Sequence, residues 1–259
     1  MSQKVIIVNI NVSQTPLLCL EELRKKHPEW HNEPMTYAGR LDPLASGVLV
    51  VLVGDECFKK DEYLALPKEY TVEILFGFAT DTYDVLGKVI NSTILSTEMI
   101  SEDFFNRVKK NLTHFVGRIR QVYPPFSSRT VEGKPLFQWA REGMLHEITI
   151  PSHDVFVKNI VLTTLNTITG KDLRKKIHSS IASVSGDFRQ EEILALWDKE
   201  LQGKEDVLFP YATATVLCGA GVYVRSIAHE LGNTLGIPSL AFSIVRTKVG
   251  DYTLSSIEE

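Results

Sequence analysis

The stretch "YAGRLDPLASGVLVVLVG", residues 37–54, joins a charged loop to a segment that is built to be buried. The apolar run at 48–53 is typical of a strand that is covered on both faces. Asp42 precedes this run and is followed by Pro43. An Asp-Pro pair is a common helix start, so Asp42 could cap a single helical turn that Gly47 closes. Alternatively, a rigid loop could present Asp42 to a cleft as a nucleophile or a base.

The composition is that of an ordinary folded chain. The 259 residues are 44% hydrophobic and 23% charged, which is enough for one large domain or two modest ones. The formal net charge of -4 lowers the expectation of a nucleic-acid partner but is compatible with a local basic groove. The three cysteines are widely spaced, and the apolar run near the N-terminus is too short for a membrane span. We therefore expect free thiols, no metal site, no membrane association and a cytoplasmic protein.

Strand and helix patterns alternate irregularly along the chain. Apolar or alternating runs predict strands at 4–12, 48–53, 68–78, 153–170, 212–218 and 241–254. Helical spacing predicts a helix at 17–30 with Leu17, Leu18, Leu20 and Leu23 on its buried face, one capped by Ser101, a short one closed by Gly143, and one near 224–236. The charged segment 171–206 predicts a helical insertion. Without a regular βαβ rhythm, the pattern favours an α+β fold with a mixed, largely antiparallel sheet.

Four blocks of the sequence, in order, resemble one family. "GRLDPLASGVLVV" is similar to the catalytic motif of pseudouridine synthases, Gly-x-Leu-Asp-Pro-Leu-Ala-x-Gly. "KEYTVEILFGFATDTYDVLGKV" resembles the Lys-x-Tyr block of that family. "GRIRQVYPPFSSRTVEGKPLFQWAREG" and "CGAGVYVRSIAHELGNTLG" resemble its Gln-x-Pro-Pro and Gly-Thr-Tyr-Ile-Arg blocks. Over most of positions 35–250 the chain resembles TruB-type tRNA pseudouridine synthases.

The resemblance implies the pseudouridine synthase fold with a central RNA-binding cleft. It also implies isomerisation of uridine 55 in the tRNA T loop, without metal or organic cofactor, on a nucleotide flipped out of the stack. Asp42 matches the catalytic aspartate, which attacks C1′ of the ribose or removes a proton from C2′. Tyr70 matches a tyrosine that stacks on the flipped base and assists deprotonation of C5, although the strand pattern alone favours a core aromatic. Arg225 matches the arginine that pairs with the aspartate.

Further residues are candidates for substrate contacts. Tyr223, two residues before Arg225, is expected to share its strand face and line the same pocket. Ile244 stands where the family has a pocket leucine, and a plain core residue is an equal alternative. Arg129 is expected to touch phosphate or to be an ordinary surface arginine, and Arg40 to meet RNA. Tyr37 stands where bacterial relatives often carry a histidine. Two basic clusters could contact the tRNA backbone: Lys109, Lys110, Arg118 and Arg120, and Lys171, Arg174, Lys175 and Lys176.

The sequence departs from the family pattern near both ends. The usual N-terminal Lys-Pro-x-Gly core is absent, and the chain ends at Glu259, shortly after the last predicted strand. We therefore expect a single catalytic domain over 1–259, without a C-terminal PUA domain, and a monomer. The basic start of the 171–206 insertion suggests that it partly compensates for the missing tRNA grip.

Two other functions compete with uridine isomerisation in tRNA. One is a catalytically silent RNA-binding module that keeps the scaffold. Retention of Asp42, Tyr70 and Arg225 argues against it, because a carboxylate repels phosphates and gives a pure binder no benefit. The other is a pseudouridine synthase that acts on a different RNA.

Overall fold

The buried strand predicted from the opening stretch lies second from one edge of the main sheet. It runs over Ala45–Val53, and every residue from 48 to 53 is fully buried. One edge of this strand pairs antiparallel with Lys4–Ile10. The other edge is shared: its first residues pair in parallel with the C-terminal strand Ser239–Val249, and its last residues pair antiparallel with Met35–Ala38. Its alternate residues pack in two different core clusters, Leu49, Val51 and Val53 in one and Val48, Val50 and Leu52 in the other, so both faces are covered and the run is apolar throughout.

The structure, a computed structural model, describes residues 4–96 and 100–256. In chain order the strands are β1 Lys4–Ile10, β2 Met35–Ala38, β3 Ala45–Val53, β4 Lys68–Phe76, β5 Phe78–Thr80, β6 Val89–Ser92, β7 Gly117–Val122, β8 Thr130–Val131, β9 Lys134–Pro135, β10 Ser152–Thr169, β11 Leu208–Cys218, β12 Ser239–Val249 and β13 Tyr252–Thr253. The α-helices are α1 Pro16–Lys26, α2 Lys60–Ala65, α3 Glu102–Leu112, α4 Leu136–Arg141, α5 Gly170–Ser183, α6 Gln190–Leu201 and α7 Val224–Leu235. The ends of the expected 1–259 domain, residues 1–3 and 257–259, lie outside the described residues.

Within the described residues, nine strands form one sheet in the order β1-β3-β12-β4-β11-β10-β7, with β2 on β3 and β13 on β12. Its pairs are antiparallel apart from β3 with β12, which confirms the predicted mixed, largely antiparallel α+β fold. Two short ribbons, β5 with β6 and β8 with β9, lie outside it.

Helices cover both faces of the sheet. Alternate residues of β4 divide between the faces: Ile74 packs with α3 and α7, and Leu75 packs with α5 and α6. The charged segment 171–206 therefore does form helices, as predicted, and their apolar sides, including Leu173 and Trp197, are fully buried against the sheet. Ser101 caps α3, and Gly143 follows α4 with a positive φ of 72°, also as predicted.

Three local expectations were wrong. Asp42 does not cap a helix, because residues 42–45 form a turn that leads directly into β3. Leu17 and Leu18 are 61% and 44% exposed, since α1 packs through Pro16, Cys19, Leu20 and Leu23, which lie three or four residues apart. Tyr223 and Arg225 do not share a strand face. The strand β11 ends at Cys218 and α7 begins at Val224, so Arg225 lies in the first turn of a helix.

Candidate active site

Asp42 is held on a short loop between β2 and β3. The amide of Ala45 donates to the carbonyl of Asp42 (2.9 Å) and closes a turn. The leucines on either side anchor this turn, because Leu41 and Leu44 both pack against core clusters. The carboxylate between them stays at the surface of the core, with a third of its side chain exposed (33%). The pattern Leu-Asp-Pro-Leu thus presents a partly exposed charge on a backbone that is fixed on both sides.

Arg225 grips this carboxylate with two hydrogen bonds. Its Nε donates to Oδ2 of Asp42 (2.6 Å) and its Nη2 donates to Oδ1 (2.9 Å). Its Nη1 donates to the carbonyl of Thr82 (2.6 Å), and only 4% of the side chain is exposed. A planar guanidinium in this fork arrangement fixes the direction of a carboxylate as well as its position. The predicted pairing of Asp42 with Arg225 is therefore present in the structure.

A second carboxylate, Asp84, lies behind the pair and was not predicted as part of it. Its Oδ2 is 3.7 Å from Nε of Arg225. Burial raises the pKa of Asp84 to about 6, although the charge of Arg225 and a hydrogen bond from Thr82 act in the opposite direction. For Arg225, burial tends to lower the pKa, but the charges of Asp42 and Asp84 raise it above its usual range. The guanidinium therefore stays charged between two carboxylates.

Thr80, Asp81, Thr82 and Asp84 are residue types typical of turns, and they do form a turn here. Thr80 Oγ1 donates to the carbonyl of Asp84 (2.6 Å), and Thr82 Oγ1 donates to its carboxylate (2.7 Å). Nothing in the local pattern shows that this turn faces Arg225, which is 143 residues away from Thr82.

Two tyrosines stand within electrostatic reach of Asp42. Tyr70, on β4, is partly buried. Burial raises the pKa of its phenol, Arg246 opposes that shift, and the charge of Asp42 adds a smaller rise. Tyr223 immediately precedes α7, and burial and the charge of Asp42 raise its pKa also. Both phenols are therefore protonated hydroxyl groups near the carboxylate at neutral pH.

Gln121 fixes the position of Tyr223 and was missed in the sequence. The buried side chain of Gln121 accepts from the amide of Tyr223 (2.8 Å) and donates to its carbonyl (3.0 Å). Tyr223 also meets the rings of Tyr123 (centroids 5.8 Å apart) and His153 (6.2 Å), which stack on each other. The guanidinium of Arg129 lies 5.3 Å from the centre of the Tyr123 ring. Arg129 thus belongs to an aromatic group beside the site, and it is exposed.

The remaining predicted residues lie around this centre in different settings. Ile244 is buried in the core, opposite Ala45 on β3 and Val72 on β4. Arg40 is exposed at the start of the loop, and its Nη2 is 3.5 Å from the Tyr37 hydroxyl. Tyr37 lies on β2, where Lys60 Nζ is 5.6 Å from its ring centre. Tyr37 and Arg40 thus form a contact of their own, whereas Asp42, Arg225, Tyr70 and Tyr223 are brought together.

The two basic clusters differ in their charge balance. In the second cluster, Arg174 pairs with Asp198 (2.7 Å) and Lys176 pairs with Glu73 (3.0 Å), which reduces its net positive charge. In the first cluster, Arg118 and Arg120 lie exposed on β7, beside the exposed ring of Phe156 in a surface groove. The first cluster is therefore the stronger candidate for phosphate contacts.

The described residues, 4–96 and 100–256, contain no group of three or more His, Cys, Asp or Glu side chains that could hold a metal ion. In the same part of the chain, no helix has the length and apolar character needed to cross a membrane. Cys19, Cys57 and Cys218 are free thiols, as the sequence predicted.

Known proteins are similar to this chain, some in sequence and some in fold. Residues 30–186 match the family described as TruB family pseudouridylate synthase, N-terminal domain. Proteins named tRNA pseudouridine synthase B are similar to it: from Protochlamydia amoebophila (27% identity, 97% of this chain, 76% of the relative), Bacillus pumilus (31%, 86%, 59%) and Chlamydia muridarum (30%, 84%, 70%). The chain thus spans roughly three fifths to three quarters of the length of these relatives.

A solved structure titled "Crystal Structure of a Cbf5-Nop10-Gar1 Complex" matches the fold. The TM-score is 0.54 at 18% identity, and the match covers 96% of this chain and 50% of that one. At this identity the likeness shows a common fold. The family match spans more than half of the chain and includes Asp42, Tyr70 and Asp84. The chain therefore belongs to the TruB family of pseudouridylate synthases.

Proposed function

We propose that this protein converts uridine 55 in the T loop of tRNA to pseudouridine, with Asp42 as the catalytic residue. The observation that carries the proposal is the Asp42–Arg225 pair. A third of the carboxylate is open to solvent, whereas the guanidinium that aims it is buried. A buried ion pair is a poor device for stability alone, because desolvation offsets most of its attraction. It is a good device for holding one carboxylate in a reactive orientation.

The reaction is an isomerisation, so all atoms of the nucleotide are conserved. Asp42 either attacks C1′ of the ribose or removes a proton from C2′, and the bond between C1′ and N1 of uracil breaks. The uracil turns, and C5 bonds to C1′. On the first route this displaces the Asp42 carboxylate from C1′, and on the second the proton held by Asp42 returns to C2′. The proton on C5 then leaves, its electron pair restores the ring double bond, and N1 gains a proton. We assign to Tyr70 the stacking of the flipped base and assistance in the loss of the C5 proton.

The surrounding residues are assigned to substrate binding. We assign Tyr223 and Ile244 to contacts with the flipped nucleotide, and Arg129, in the aromatic group beside Tyr223, to a contact with phosphate. Tyr37 and Arg40 contact RNA at the start of the loop. The relatives are named for tRNA, and that name supports tRNA as the substrate here. A monomeric state, a cytoplasmic location and an RNA-binding role for 171–206 stay predictions from the sequence.

The test is to incubate the protein with unmodified tRNA and to map pseudouridine by chemical labelling. We expect product at the T-loop uridine with the unaltered chain and none with Asp42→Asn. Glu56→Gln is the matched control, because Glu56 also pairs with a cationic side chain, Lys59, in a segment to which no RNA contact is assigned. It should leave the product yield unchanged.

The other outcomes would each support a competing function. Binding of tRNA without any product would support a silent RNA-binding module. Product only on other RNA would support a different substrate. Turnover by Asp42→Asn close to that of the unaltered chain would refute the catalytic assignment of Asp42.

A further inference from the structure

The buried side chain of Arg246, on β12, joins the two ends of the loop that carries Asp42. Its Nε donates to the carbonyl of Val48 (2.8 Å), and its Nη2 donates to the carbonyl of Gly39 (3.1 Å). Gly39 precedes Asp42 and Val48 follows it, so one guanidinium closes the loop at its base. Arg246 is only 2% exposed. It therefore acts from inside the protein and offers no surface to RNA.

The two glycines that flank Asp42, Gly39 and Gly47, lie close to Arg246, and neither position favours a larger residue. Gly47 lies opposite Arg246 in the parallel pair of β3 with β12, and a Cβ atom on Gly47 would come within 2.2 Å of the Arg246 carbonyl oxygen. Gly39 has a φ of +90°, and a Cβ atom there would lie 3.4 Å from Nη1 of Arg246. Any side chain at 47 would push the two strands apart, and one at 39 would strain the backbone. The spacing of glycines around Asp42 thus follows from the close approach of Arg246.

Arg246 also acts on the second proposed catalytic residue. It stands directly opposite Tyr70 in the antiparallel pair of β4 with β12. Burial raises the pKa of Tyr70, and Arg246 counteracts this both by its charge and as a hydrogen-bond donor. A fully buried cation costs several kcal/mol of desolvation, which a well-packed apolar side chain would avoid. Bonding to two neutral carbonyls offsets only part of that cost, which indicates a role beyond stability.

We propose that Arg246 is a positioning residue that fixes the Asp42 loop and the Tyr70 phenol relative to each other. This inference rests on the proposed function. Asp42 and Tyr70 reach opposite parts of the same flipped nucleotide, so the reaction depends on their separation. Arg246 sets that separation because its strand, β12, pairs with both β3 and β4, and its side chain holds the loop that carries Asp42. Its effect is therefore expected on kcat, the rate of the chemical step, and little on the affinity for RNA.

The experiment compares Arg246→Lys and Arg246→Met with the unaltered chain in steady-state turnover of unmodified tRNA. A lysine keeps the charge but cannot reach both carbonyls as a planar fork does. We expect Arg246→Lys to lower kcat by about 10- to 100-fold, since displacements near 1 Å can cost that much, with KM changed less than about threefold. Arg246→Met should lose more. Phe104→Leu, in the buried side of α3, is the control for lost stability and should keep kcat per folded molecule unchanged.

Amide hydrogen exchange of residues 40–46 supplies a readout that needs no substrate. Exchange there should rise about tenfold or more in Arg246→Lys and stay at the unaltered level in Phe104→Leu. If Arg246→Met fails to fold, Gly39→Ala replaces it and should show the same fall in kcat with an unchanged KM.

Normal kcat per folded molecule in the Arg246 variants, unaltered exchange at 40–46, or a loss confined to KM would each overturn the inference. Failure of the proposed function is a separate result, because the unaltered chain would then form no pseudouridine in tRNA. The exchange measurement would still report on the Arg246 clamp in that case.

Discussion

Replacing Arg225 with glutamine tests how far the fold depends on the ion pair at its centre. The change removes three hydrogen bonds, two to Asp42 and one to the Thr82 carbonyl. Hydrogen bonds to charged groups contribute about 1.5–3 kcal/mol each, which gives a gross loss of roughly 4.5–9 kcal/mol for the three. Two effects reduce it. The desolvation cost of the buried guanidinium disappears, and Asp42, one third exposed, can be solvated by water.

The net loss expected for Arg225→Gln is therefore about 3 kcal/mol of unfolding free energy. For a chain of this size, that corresponds to a fall in Tm of about 6–12 °C. Urea unfolding gives the free energy, and calorimetry gives the Tm. Arg225→Lys retains a charge between Asp42 and Asp84 and should lose about half as much. Activity should fall in both variants, because neither side chain can aim the carboxylate with a planar fork.

A double-mutant cycle tests whether the lost unfolding free energy comes from the interaction between Asp42 and Arg225. In the Asp42→Asn background, Arg225→Gln should cost about 2 kcal/mol less than it does in the unaltered chain. If the two single losses add to within about 0.5 kcal/mol, the pair is not coupled and the reasoning fails. A loss of unfolding free energy below about 1 kcal/mol for Arg225→Gln alone would also refute the reasoning.

Three further changes test neighbouring groups. Burial raises the pKa of Asp84 from its usual 3.8 to about 6, so the stability that its protonated form contributes is full below about pH 3.8 and is lost as the pH rises through 6. The unfolding free energy of Asp84→Asn, measured by urea titration, should therefore rise relative to that of the unaltered chain by up to about 3 kcal/mol between pH 4 and pH 7. A difference that does not change with pH would contradict this. Gln121→Leu leaves the amide and carbonyl of Tyr223 unpaired and should lower the unfolding free energy by about 2 kcal/mol. A change under about 0.5 kcal/mol would show that water takes over the two hydrogen bonds of the Gln121 side chain. Tyr70→Phe keeps the ring and should bind tRNA normally in filter assays while kcat falls about tenfold or more, whereas an unchanged kcat would leave Tyr70 with stacking alone.

The parts of the fold that the sequence predicts well have strong local causes. The apolar run of β3 can only be a buried segment, and Ser101 and Gly143 mark helix ends through hydrogen bonding and positive φ. The pairing of Asp42 with Arg225 was also expected, but from the resemblance to a family. No spacing or periodicity links two residues that are 183 positions apart.

The wrong expectations have a shared physical origin, because tertiary contacts override local patterns. "VYVR" is rich in β-branched and aromatic residues and favours a strand. In the structure Gly221 takes a φ of 82° and Gln121 holds the backbone of Tyr223, so the chain turns and a helix begins before Arg225. The helix start at Asp42-Pro43 gives way for a similar reason, since Leu41 and Leu44 are both drawn into the core.

The buried charges were missed because burial is not a local property. Arg246 follows an alternating strand pattern in which an arginine normally faces solvent. In the structure it is 2% exposed, because its side chain lies against the loop that carries Asp42 and donates to the carbonyls of Gly39 and Val48. Asp84 has the sequence context of an ordinary turn. It lies beside Arg225 only because α7, which carries Arg225, packs next to that turn in the folded chain.

The distance along the chain between Asp42 and Arg225 has a consequence for synthesis on the ribosome. At about 5–20 residues per second, the 183 positions between them take roughly 9–37 s to translate. During that interval the loop that carries Asp42 has emerged, but neither α7 nor β12 exists to hold it. The nascent chain therefore lacks both Arg225 and Arg246 until nearly the whole domain has been made. Assembly of the site and completion of the fold are a single late event.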